Sequence, residues 1–116
     1  MTVVPQKIDN LIDGELYVWE GIQEDSSGEF LSIRGNNDLT VWVVGDDGGG
    51  VVTIEGSPTK ESATSIVLSD ISGNELSFLA HGVKGIGPAV PFVRPVVTGG
   101  LDASVDVYLF IIRKGR

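Results

Sequence analysis

From Glu15 onward, apolar and polar residues alternate with a period of two. This is the pattern of strands whose side chains point to opposite faces. Over 15–22, Leu16, Val18 and Ile22 fall on one side, and Tyr17 and Trp19 on the other. A bulge at Gly21 or Gly45 would exchange the two sides. Over 39–44, Leu39, Val41 and Val43 share a face opposite Thr40, Trp42 and Val44. Over 104–112, Val105, Val107, Leu109 and Ile111 oppose Tyr108, Phe110 and Ile112. Shorter strands are expected at 30–34, at 51–55 (Val52 and Ile54 inward), at 65–71 and at 76–79. The Gly- and Pro-rich stretch 80–88 reads as a long loop. The strand at 90–97 carries Pro91 and Pro95. Proline cannot donate to a ladder, so an edge or bulged position is expected there.

About eight short strands, separated by turns every 8–12 residues, predict an all-β fold. The expected architecture is an antiparallel two-sheet β-sandwich, jelly-roll-like, over residues 15–116. Residues 1–14 alternate poorly, because Pro5 and the pairs Asp9-Asn10 and Asp13-Gly14 interrupt Val3, Val4, Ile8 and Leu11. They form either an extended N-terminal arm or a short first strand followed by a turn.

Composition supports this reading. Val and Ile together number 26, Ala only 4, and Gly 16 of 116 residues, a balance that favours pleated strands and turns over helices. The length allows one domain with its own core. Without cysteine, disulfides and thiolate metal sites are excluded. The formal charge of −8 opposes binding to nucleic acid or to an anionic membrane. No apolar run approaches the ~20 residues of a membrane helix. The N-terminal stretch lacks the apolar core of a secretory signal, so synthesis in a cytoplasm is expected.

Signals for chemistry are weak. The single histidine, His81, cannot form a two-histidine metal site, and no nucleophile motif surrounds a serine. Gly82 to Gly87 lacks the order of a phosphate-binding loop. Asp46 and Asp47 lack the spaced ligands of a calcium loop and read as a solvated turn. Glu20, Glu24 and Glu29 could supply a carboxylate pair, but acids near turns are ordinary. No catalytic residue, metal or cofactor is expected, and the chain reads as a non-enzyme.

The informative feature is a second apolar face. Tyr17, Trp19, Trp42, Tyr108 and Phe110 lie opposite the expected core. Either the arm and loops cover them, or a partner does. The same rings could instead stack on sugars, as in a carbohydrate-binding module with Tyr17, Trp19 and Trp42 as its platform. Val3, Val4, Ile8 and Leu11 of the arm are further contact candidates. Arg94 is either an edge arginine with its head in water or a bidentate ligand for a neighbour's carboxylate. Arg113, with Lys114 and Arg116, places positive charge at the end of an acidic chain.

The run Phe92-Val93-Arg94-Pro95-Val96-Val97-Thr98-Gly99-Gly100, followed by the alternating strand 104–112, resembles the closing segment of small all-β virion proteins of tailed bacteriophages. Within that group the chain most resembles the head decoration, or cement, proteins. The resemblance implies a jelly-roll-like fold and a place in the virion, on the outer capsid surface. It implies the major capsid protein as partner and association into a homo-oligomer, a dimer or trimer. A tail or other virion protein is the nearest alternative.

Overall fold

A computed structural model of the chain describes residues 2–11, 14–33, 37–46, 48–79, 81–87 and 90–113. The strands are β1 (Thr2–Val3), β2 (Gln6–Leu11), β3 (Gly14–Gln23), β4 (Ser26–Gly28), β5 (Leu31–Ser32), β6 (Asn37–Asp46), β7 (Val51–Ser57), β8 (Ile66–Val67), β9 (Ser77–Phe78), β10 (Gly82–Gly85), β11 (Phe92–Thr98) and β12 (Ser104–Arg113). One 3-10 turn covers Ser62–Thr64. Several of the strands are two or three residues long, so the count exceeds the sequence expectation. The architecture matches it: a two-sheet, jelly-roll-like β-sandwich.

One sheet runs in the order β10-β6-β12-β3-β2, with every pairing antiparallel. The other follows β1-β4-β11-β7-β8, with β5 also on β11 and β9 also on β7. Its one parallel pair is β1 with β4. The first residues are thus shared between the sheets, β1 in one and β2 in the other. Of the two readings of residues 1–14, strand pairing describes 2–11; residues 12 and 13 lie outside the described set.

The core lies between the sheets. Leu39, Val41 and Val43 meet Val52, Ile54, Val93 and Val97, with Val105, Val107, Leu109 and Ile111 beside them. These are the inward positions expected for β6, β7 and β12. In β3 Ile22 is inward as expected, but the assignment is reversed N-terminal to Gly21. Ile22 pairs with Val105 and Trp19 with Val107, so Glu20 and Gly21 together face Asp106. This is a β-bulge, one extra residue on β3. Gly21 takes φ 67°, a conformation that favours glycine, and its N–H donates to Asp106 Oδ1 at 2.8 Å. The bulge puts Trp19 inward with Ile22. By register, Tyr17 follows Trp19 inward, while Leu16 and Val18 turn outward; Val18 is nevertheless buried on that side, 2% exposed. Gly45 pairs regularly with Val105 and causes no shift.

Trp19 then links the sheets. It is 2% exposed and its indole N–H donates to the Glu29 carbonyl at 2.9 Å. Glu29 sits in the break between β4 and β5. Pro95 lies opposite the same break, because Val96 and Val97 pair with β4, and Phe92 and Val93 with β5. On its other side Pro95 pairs with Ile54, whose own N–H and carbonyl bond Leu76 and Leu68. The missing proline donor is therefore owed to neither neighbour. This corrects the edge placement: β11 is central, flanked by β7 and by β4 with β5.

Two further expectations change. The expected loop 80–88 contains β10, whose Gly82 and Gly85 are half-buried. The expected strand 65–71 is regular only at β8, with isolated bridges Ser69–Glu75 and Asp70–Ile86 beyond it.

Candidate docking face

Antiparallel partners project to the same side of a sheet. The register therefore lays out the outer face of the five-stranded sheet. One rung reads Gln6, Val18, Tyr108, Trp42, Val83; the next reads Asp9, Leu16, Phe110, Thr40, Gly85. Ile112 and Asp38 follow at one end, Asp106 and Val44 at the other. Leu16, Trp42, Tyr108 and Phe110 line an apolar groove of about 240 Å³. The Trp42 and Phe110 rings meet edge to face, centroids 6.2 Å apart. Trp42 is 44% exposed and Val83 51%. Ile71 reaches over Gly85 on this side: a Cβ built on Gly85 would lie within 2.4 Å of the Ile71 side chain. Ile71 itself is 79% exposed. An apolar strip thus crosses the sheet from Leu16 to Ile71.

The expected contact residues divide. Trp42, Tyr108 and Phe110 come together on this face. Trp19 does not: it is core, and the reason is the bulge. Tyr17 faces inward, packs against the core, and its hydroxyl donates to Glu15 Oε1 at 3.2 Å. A flat platform of Tyr17, Trp19 and Trp42 for sugar rings is therefore not formed. Val3 packs against the core, while Val4 and Ile8 are exposed. Leu11 pairs with Gly14, and its side chain lies outside the described residues. Arg113 is exposed at the end of β12 and pairs with Asn37; Lys114 and Arg116 lie outside the described residues. Leu16, Val83 and Ile71 were missed. Gly21 within an alternating strand was the available signal for Leu16. Val83 was hidden by the glycines around it.

Arg94 is engaged within its own chain, neither solvated nor offered to a neighbour. Its Nε and Nη2 donate to Glu55 Oε1 at 3.1 and 2.9 Å, and Nη1 donates to Ser62 Oγ at 3.2 Å. The guanidinium also lies 4.6 Å from the Phe30 ring centroid. Ladder register creates the pair, since Arg94 sits directly opposite Glu55.

A second feature is a cleft of about 450 Å³ at one end of the sandwich, lined by Glu15, Tyr17, Leu31, Ser32 and Arg113 among others. Lys7 Nζ donates to Glu15 Oε2 at 2.9 Å. The Lys7 hydrogen bond holds the Glu15 carboxyl below its ordinary value and raises Lys7 in turn. Burial, then the Glu15 charge, raises Tyr17. The acids near turns hold loop amides: Glu24 accepts from Ala103 N, Asp25 from Gly99 N and Asp46 from Gly48 N. Asp47 lies outside the described residues. His81 is exposed. No cluster of three or more metal-ligating side chains occurs among the described residues.

No protein-family model and no curated protein sequence matches the chain. Solved structures do share its fold. The SPBc2 prophage-derived protein YomS superposes with a TM-score of 0.64 at 11% identity, over 90% of this chain and 99% of that one. A cupin 2 domain-containing protein from Halorhodospira halophila gives 0.53 at 12% identity, over 97% of this chain and 65% of that one. A cupin domain from Bordetella pertussis Tohama I gives 0.50 at 11%, over 97% and 95%. The class is therefore the jelly-roll β-sandwich, a fold that carries many unrelated functions.

Proposed function

We propose that this chain is a structural, adhesive protein of a tailed-phage virion. More specifically, it decorates the head, docking on the outer capsid surface and bridging neighbouring major capsid subunits. The observation that carries the reading is the apolar strip on the outer face of the five-stranded sheet. Exposed apolar strips on small proteins mark interaction sites, and Trp, Tyr and Phe at its centre are the side chains enriched where binding energy concentrates. The fold likeness to a prophage-derived protein along nearly the whole of both chains supports a phage setting, as does the closing segment 92–112. A protein that binds only the assembled lattice stabilises it by mass action.

The test uses particles of a phage that encodes this chain, prepared with its gene deleted. Purified protein is expected to bind the heads saturably, to raise their thermal disruption temperature, and to lose both effects on Trp42→Ser. Density on tails alone would replace the head assignment with a tail one. Absence of binding to any part of the particle would remove the virion reading.

A further inference from the structure

The docking face also carries information on the chemistry of its partner, and this inference rests on the adhesive reading above. At strand spacing of about 4.8 Å and about 6.8 Å per residue pair, five strands and four rungs span about 19 by 20 Å. That is roughly 400 Å², about half of the ~800 Å² per partner of a stable interface. Any stable partner must therefore cover the rim as well as the apolar centre.

The rim is acidic. The charged positions that the ladder places on this face include Asp9, Asp46 and Asp106, and Glu20 is exposed in the bulge beside Asp106. Among the described residues four of the five cations are committed elsewhere. Lys7 lies on Glu15, Arg94 on Glu55, Lys60 over the Phe92 ring, and Lys84 over the Phe78 ring with a bond to the Ser77 carbonyl. Arg113 falls on the inward side of the ladder, opposite Asn37. A second copy docked face to face would bring carboxylates against carboxylates, which disfavours that pairing.

We infer that the face accepts a protein segment with an apolar ridge flanked by lysine or arginine, rather than a second copy of this chain. Association of copies as dimers or trimers then falls to other surfaces. The test uses two synthetic hairpin peptides with the same alternating Val and Leu face, one flanked by lysines and one by glutamates. Binding is followed by titration calorimetry at low and high salt. The lysine peptide is expected to bind about tenfold more tightly than the glutamate peptide at low salt. Trp42→Ser should weaken it about tenfold; Val83→Ser, at the far end of the strip, is the second variant should the first not fold. Asp9→Asn with Glu20→Gln should shrink both the peptide preference and the salt dependence. Equal affinity for the two peptides overturns the inference. So does lysine-peptide binding indifferent to both apolar variants. Self-association of the wild type that is abolished by Trp42→Ser assigns the face to a second copy and also overturns it. The virion reading fails separately: peptide selectivity without particle binding removes that reading alone. Particle binding unchanged by Asp9→Asn with Glu20→Gln removes the partner chemistry alone.

Discussion

The two tryptophans sit in the same sheet, three strands apart in sequence order, yet the structure gives them opposite energetic roles. Trp19 is buried and its N–H satisfies a carbonyl in the β4–β5 break. Trp19→Phe removes that donor, leaving an unpaired carbonyl at a cost of about 1–3 kcal/mol. It also leaves a gap where the larger ring stood, and the surrounding structure collapses only in part. The sum is about 2–4 kcal/mol. At a few degrees per kcal/mol for a domain of this size, Tm should fall by roughly 8–16 °C. Trp42→Phe keeps an apolar ring against Phe110 on a face open to water, and should stay within about 0.5 kcal/mol. Chemical denaturation of both variants, with unchanged slope, supplies the free energies. Each variant also leaves a single tryptophan, so fluorescence provides a second readout. The protein retaining Trp19 should emit to the blue and resist acrylamide; the one retaining Trp42 should emit to the red and be quenched readily. Equal destabilisation by the two substitutions, or equal quenching of the two rings, would refute the bulge-driven assignment of faces.

Other expectations concern single contacts. Gly28→Ala places a Cβ within 2.4 Å of Trp19 Cδ1 and 2.8 Å of Pro95 Cδ, so it should cost about 1–3 kcal/mol by overpacking, read as a lowered denaturation midpoint. Arg94→Gln and Glu55→Gln each strand a half-buried partner and should cost about 1–3 kcal/mol. A double-mutant cycle should show them coupled, and additive losses would mean that the pair contributes nothing. Glu15 has a lowered carboxyl in the folded state, so its contribution is present above the ordinary carboxylate range and is lost as pH falls through the folded value. Lys7 is raised, so its contribution is present below the ordinary lysine range and is lost as pH rises through the folded value. NMR titration should find the Glu15 carboxyl below its ordinary value, and Lys7→Met should return it upward.

Much of the sandwich is legible in the alternation of β6, β7 and β12, because register and burial agree over most of their lengths. The same rule fails in β3 at one residue. Period two holds only while strands pair one to one, and Gly21 allows Glu20 and Gly21 to share a single partner, Asp106. Everything on the N-terminal side of that point then changes face. Trp19 moves into the core and Leu16 takes its place in the groove. Asp106, on β12, holds the bulge through Gly21 N, so the cause lies 85 residues away in sequence and no local pattern contains it. Pro95 illustrates the same limit from the other sheet. Its missing donor argues for an edge only if both neighbours are continuous strands. Here the neighbour is broken at Glu29, and the Trp19 indole fills the carbonyl's need. The break tolerates the proline, and the bulge delivers the indole to the break. The docking face is consequently a by-product of core construction: moving Trp19 inward forces Leu16 outward, and Leu16 is what joins Phe110, Tyr108 and Trp42 into one groove. Deleting Gly21 should therefore exchange the two sides of β3 N-terminal to it, burying Leu16 at the expense of Trp19. Loss of stability and loss of docking should then appear together, whereas Trp42→Ser should lose docking alone.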